Sequence, residues 1–208
     1  MGGQVTADLV RPGFYPAGGG EFTVEIAPAA KGCLGPLDLL ERGETVGRRG
    51  RGIVARLPEH IAQRELKVVE RKLGWSAEEL SVEEARDSIG PGNIVMLEIV
   101  SEHVTEVFAA FGQKDIRAEA VARKAVDEAR AYLAAGVAVG PHLADQLLIP
   151  MAMAARHGGT SRYRTVAPTR HTTTNIETIQ KFIDVDVSVT RVAQDRDVWE
   201  IGVGKLED

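Results

Sequence analysis

The sequence predicts an α+β fold. Three observations point there: short stretches of alternating polarity, glycine- and proline-rich turns that pair them, and longer segments of helical periodicity set between. Paired hairpins demand antiparallel sheets, so helices are expected on one face of each sheet.

The elements follow in order. Residues 4–11 (QVTADLVR) alternate and read as a strand. Residues 12–20 (PGFYPAGGG) hold too much glycine and proline for regular structure, and residues 21–28 (EFTVEIAP) alternate again. Together they make an antiparallel hairpin with a long tip. A strand is predicted over 46–57 and an amphipathic helix over 58–73. In that helix Pro58 suits the first turn, Gly74 the stop, and Ile61, Leu66, Val69 and Leu73 the buried face. GPGN (90–93) is a turn, followed by a strand pair at 94–100 and 104–111. Residues 116–133 form the longest helix, closed near Gly136, and 142–155 a second helical segment disturbed by Pro150. A short strand at 163–166, a helix at 175–183 and a closing hairpin (185–192, 197–203) complete the chain. The stretch 44–111 carries its own strand–helix–strand–strand pattern and reads as a module.

Composition narrows the function class. With 208 residues, 44% hydrophobic and 26% charged, the chain has globular composition and room for one or two domains. No apolar run reaches membrane-spanning length, and the start lacks the features of a signal peptide. The single cysteine, Cys33, excludes an intrachain disulfide and reads as a bystander thiol. A cytoplasmic protein is expected. The net charge of −5 argues against indiscriminate nucleic-acid binding. Its distribution is uneven, however. Residues 146–176 contain no acid but hold Arg156, His157, Arg162, Arg164, Arg170 and His171; a second basic run covers Arg42, Arg48, Arg49, Arg51 and Arg56. Such patches suit a specific anionic ligand, or are simply solvated strand faces.

His171 is the leading candidate for chemistry. It stands where a loop meets a helix, and Thr174 and Glu177 have the spacing of a capping box, so the helix is expected to begin near Thr174. An imidazole just ahead of that start faces free backbone N–H groups and the positive end of the dipole. That setting favours a neutral, nucleophilic ring beside a bound phosphate. A surface histidine preceding a cap is the plain alternative. The adjacent pair Asp145-Gln146 interrupts an otherwise apolar helical stretch, which implies either a cap or a ligand contact. The PGFYPAGGGE tip is not a P-loop, because no Lys-Ser/Thr follows and it joins two strands. No zinc spacing, dinucleotide fingerprint or nucleophile elbow is present.

Three segments together resemble one family, the RNA 3′-terminal phosphate cyclases: RPGFYPAGGGEF (11–22), GPHLADQLLIPMAMA (140–154) and PTRHTTTNIETIQKF (168–182). GPGN (90–93), SEHVTEVFAAFGQK (101–114) and AEAVARKAVDEARAYL (118–133) support it, and the resemblance spans nearly the whole chain. It implies an ATP-dependent ligase-type reaction in RNA processing. A histidine attacks the α-phosphate of ATP, releases pyrophosphate and forms a covalent histidyl–AMP. AMP passes to the 3′-phosphate of an RNA end, and the neighbouring 2′-hydroxyl then closes a 2′,3′-cyclic phosphate. By motif position the nucleotidylated residue is His171; Asp145 and Gln146 match nucleotide-site residues; His142 matches the ring that stacks on adenine.

The resemblance also implies repeated units of a four-stranded sheet and two helices, as in enolpyruvyl transferases, with a small inserted α+β domain. Residues 1–43 would end one unit and begin the last, 44–113 would be the insert, and 114–208 the rest of the last unit with the nucleotide site. The helix at 116–133 would then belong to that last unit. The family has a substantial part ahead of these motifs that supplies groups for ATP, metal and RNA. The chain therefore reads as a C-terminal fragment, a truncated reading frame or one half of a split enzyme whose other half is a separate N-terminal chain; it is expected to be inactive or weak alone, with the ligands of a divalent metal (Mg or Mn) largely elsewhere. No metal ligands are assigned within it. The segment 155–164 reads as longer and more basic than the family's turn. Two other readings stand beside the enzyme: a non-catalytic cyclase-like protein of RNA processing or ribosome assembly, and an enolpyruvyl transferase, which has no use for the Asp145-Gln146 and His171 pattern.

Overall fold

The computed structural model describes residues 3–28, 34–193 and 197–206. Cys33 lies outside them. The chain opens with the expected hairpin, β1 (Gln4–Arg11) antiparallel to β2 (Glu21–Ala27). Among the described strands these two pair only with each other. The register places Val5 opposite Ile26, Ala7 opposite Val24 and Leu9 opposite Phe22. Strand alternation puts all six on one face. That face is bare: Val5, Leu9, Phe22, Val24 and Ile26 are all exposed.

Two four-stranded sheets follow. After β3 (Asp38–Leu39), the first sheet is built from β4 (Thr45–Ala55), β5 (Leu80–Glu84), β6 (Gly92–Ser101) and β7 (Thr105–Phe111), in the order β5-β4-β6-β7. Only β5 runs parallel to its neighbour, because helix α1 (His60–Leu73) intervenes and returns the chain to the same end. Gly74 ends α1 in the left-handed conformation, φ 68°, as a residue without Cβ allows. The half-buried edge strand β5 was not expected from its sequence, LSVEE, whose alternation is too weak to mark it.

Helix α2 (Ala118–Ala135) lies beside α1 across β6 and β7. The sequence reading placed this helix in the last unit; in the structure it packs with α1 on the first sheet. The reason is the helix's own face. Val121, Ala122, Ala125, Val126 and Ala129 are fully buried, and small alanines let α2 approach α1 and the sheet closely.

The second sheet has the order β3-β8-β10-β9, with β8 (Ser161–Thr165), β9 (Val185–Ala193) and β10 (Val198–Lys205). Here β3 is parallel to β8, while β10 is antiparallel to both β8 and β9. Helices α3 (Pro141–Ala155) and α4 (Arg170–Phe182) cover it. Leu148, Met151, Tyr163, Ile176, Ile179 and Ile201 form their shared core. Pro150 stays inside one continuous α3. Both assemblies thus hold four strands and two helices, but their strands are wired differently. No described helix is long and apolar enough to cross a membrane.

Candidate active site

The start of α4 differs from expectation. Its N-cap is Thr169, whose side chain accepts from the Thr172 N–H at 3.2 Å, and the Thr173 N–H reaches the Thr169 carbonyl at 3.0 Å. The helix therefore begins at Arg170 rather than near Thr174, and His171 is its second residue instead of a loop residue ahead of it. The T-x-x-E box goes unused because burial decides the boundary. Thr172 is fully buried, and with Ile176 and Ile179 it forms one apolar face reaching back into the first turn. The His171 ring is exposed. It remains at the positive end of the helix, where the first-turn N–H groups of Arg170 and His171 have no intrahelical acceptor.

Helix α3 carries the other three candidates. Gly140 is its N-cap, with extended backbone, and Pro141 opens the first turn. Asp145 is thus an interior residue, which removes the cap explanation for its presence. His142, Asp145 and Gln146 stand at i, i+3 and i+4, so one face carries all three. Gln146 and His142 are exposed, and Asp145 is half-buried. The Asn175 side-chain amide donates to Asp145 Oδ1 at 2.9 Å and to the Asp145 main-chain oxygen at 3.2 Å. Asn175 lies on α4 one turn beyond His171. The two helices that bear the candidates are therefore joined through Asp145 itself. On its inner side α3 is fixed by the Tyr163 hydroxyl, which donates to the Ala144 carbonyl at 2.6 Å. Burial, with Asp145 nearby, pushes the Tyr163 phenol well above its ordinary range. His142 Nε2 lies 3.2 Å from Glu128 Oε2 on α2, within hydrogen-bond reach.

The basic runs are largely matched by acids. Arg162 meets Asp38 at 2.9 Å, Arg164 meets Glu200 at 3.3 Å and Arg51 meets Glu98 at 2.8 Å. Arg42 instead stacks over the Tyr132 ring at 5.1 Å, and Arg56 Nε donates to the Ser88 carbonyl. Arg156, Arg170, His157 and His171 remain exposed near the ends of α3 and α4. Among the described residues no three His, Cys, Asp or Glu side chains cluster as metal ligands. A cavity of about 1240 Å³ between the hairpin tip and the α1–α2 pair is lined by Phe14, Tyr15, Ile61, Arg64, Phe111 and Arg117, and by no residue of α3 or α4.

Sequence reasoning missed Asn175, Glu128 and Glu106. Asn175 sits four residues after His171 in the same motif, a spacing that marks a shared helix face. Glu106 occupies an inward position on β7, in register with the buried Phe108 and Ala110. A carboxylate in that apolar row was the available signal.

The structure is a mixed α/β chain in which Asn175, on the helix of His171, holds the Asp145 carboxylate of the neighbouring helix. Comparison with known proteins gives its family. Residues 1–189 match the sequence model of the RNA 3′-terminal phosphate cyclases, and the chain belongs to that family. It is 45% identical over 194 residues to the RNA 3′-terminal phosphate cyclase of Pseudomonas fluorescens, covering 93% of this chain and 55% of that protein. The proteins of the same name from Ectopseudomonas mendocina and Koribacter versatilis are each 43% identical, over 92% and 91% of this chain and 54% and 52% of their own length. The chain therefore spans about half the length of these relatives.

Proposed function

We propose that this chain carries the nucleophile of an ATP-dependent RNA 3′-phosphate cyclase. A neutral His171 nitrogen attacks the α-phosphorus of ATP; the bond to pyrophosphate breaks and AMP stays on the ring. The adenylate moves to an RNA 3′-phosphate. Attack by the adjacent 2′-hydroxyl then expels AMP and leaves the 2′,3′-cyclic phosphate. The open N–H groups at the start of α4 suit the phosphates. Asp145 and Gln146 face the same nucleotide, His142 offers a ring to the adenine, and the ligands of the divalent metal (Mg or Mn) lie largely outside this chain.

The observation that carries this reading is the Asn175–Asp145 hydrogen bond, which ties the helix of His171 to the helix of the other three residues. The second assembly is read as the enolpyruvyl-transferase-like unit that holds the site. The bare apolar face of the hairpin supports a partner that covers it, equivalent to the part of the relatives that the match to this chain does not span. The test is incubation with α-labelled ATP and Mg or Mn, followed by mapping of acid-labile label. Label on His171, lost in His171→Ala, is expected; label elsewhere, or label that survives the substitution, would sink the assignment.

A further inference from the structure

Glu106 is a buried carboxylate, 4% exposed, on the inner face of β7. Such a group costs several kcal/mol to bury unless it is hydrogen-bonded. Its partner lies outside its own assembly: the Gly140 N–H donates to Glu106 Oε1 at 2.5 Å. Gly140 is the N-cap of α3 and has no side chain to cap the helix with. A Cβ at Gly140 would stand 3.0–3.2 Å from the Glu106 carboxylate, close enough that the carboxylate would have to shift by a few tenths of an ångström. Burial pushes the Glu106 carboxyl up, while the Gly140 N–H and His142 pull it down. The carboxylate thus sits at the positive end of α3 and takes the N–H of the N-cap residue itself, the role that an N3 carboxylate has in a capping box.

Two further contacts from the first assembly reach the same segment. The Tyr132 hydroxyl on α2 donates to the Ala138 carbonyl at 3.2 Å, and Glu128 on α2 faces His142. Every one of these groups belongs to β7 or α2, and every target lies within residues 138–142. From there α3 runs directly to Asp145, and Asp145 holds Asn175 on α4.

We infer that Glu106 is a positioning residue: the first assembly grips the start of α3 through it and so sets where Asp145 and His142 stand relative to α4. This rests on the reading of α3 and α4 as the nucleotide site. Glu106 touches no substrate and acts only through Gly140.

The experiment uses the full chain and three variants. Glu106→Ala removes the acceptor, Glu106→Gln keeps an acceptor of the same shape, and Gly140→Ala wedges the pair apart from the other side. Amide hydrogen exchange is read across the chain, with the Asn175 side-chain resonances. In Glu106→Ala and Gly140→Ala, exchange at residues 140–146 should rise about tenfold or more, since a buried N–H loses its partner. The Asn175 resonances should shift in both. Glu106→Gln should restore most of the protection, and β6 and the middle of α2 should keep theirs in all three. Unchanged exchange at 140–146 in Glu106→Ala, or a loss spread evenly over β6, β7 and α2 with no rescue by glutamine, would overturn the inference. An ATP–Mg titration followed at the Asn175 resonances is run separately. Failure of the wild-type chain to respond to ATP speaks against the nucleotide reading, while the exchange pattern decides the grip without any nucleotide.

Discussion

Glu65 shows how much one buried side chain decides. It lies on α1 with no exposed surface, and its one hydrogen-bond donor among the described residues is Asn93 Nδ2 at 2.5 Å. Desolvation pushes its carboxyl from 4.5 to about 7, against the opposing pull of Asn93. Between those values the folded protein holds a proton that the unfolded chain releases. Stability from this group is therefore full below the unfolded value and falls as pH rises through about 7. Glu65→Gln should remove that dependence. Urea midpoints measured from about pH 5 to about pH 8 should decline for the wild type and run flatter for the variant; parallel curves would refute the assignment. Asn175 is the matching case at the site. Asn175→Ala should cost about 1 kcal/mol in denaturant unfolding and slow adenylation of His171. Labelling at the wild-type rate would show that the Asp145 contact does not orient the histidine's helix.

At the scale of elements, α4 settles where its own dipole begins. The T-x-x-E spacing marks Thr174 as the cap in sequence, while the structure puts the cap at Thr169. Only Thr169 caps, because the buried Thr172–Ile176–Ile179 face needs the first turn to be helical. Thr169→Ala should destabilise the protein by about 1 kcal/mol, whereas Thr174→Ala on the exposed face should cost a few tenths at most. Thermal unfolding of the two variants checks this, and a reversed ranking would return the helix start to Thr174. The same logic explains β5 and β3. Both are short and only partly buried, so side-chain periodicity says little about them. Their strand state comes from backbone pairing with β4 and β8.

At the scale of the molecule, the hairpin is the part left open. Its polar face carries Gln4, Thr6, Asp8, Thr23 and Glu25, and its apolar face is exposed among the described residues. Replacing Leu9 and Phe22 together by serine should change the stability of the chain by no more than about 0.5 kcal/mol, because both are already exposed. The same double variant should fail to bind a chain equivalent to the other half of the longer relatives, as measured by co-elution. A large loss of stability would mean that the face is covered in solution by this chain itself. Cyclisation of a 3′-phosphorylated RNA by the chain alone should be absent or very weak, since positioning and charge neutralisation of the phosphates need more groups than it presents. Robust turnover would overturn that expectation.

Periodicity and turn chemistry alone determined both hairpins, the four helices and most strand positions, because those signals are local. His171 and the Asp145-Gln146 pair became candidates for the same reason, each marked by its neighbours in sequence, and His142 through the family resemblance. Three things were decided only by the tertiary structure. α2 joined the first sheet because its alanine face fits α1. α4 began five residues early because burial of Thr172 outweighed a local capping signal. Glu106 met Gly140 because the fold brings the inner face of β7 to the start of α3, 34 residues apart at that contact. Each depends on which surfaces are buried together, and burial is a property of the packed chain rather than of any segment.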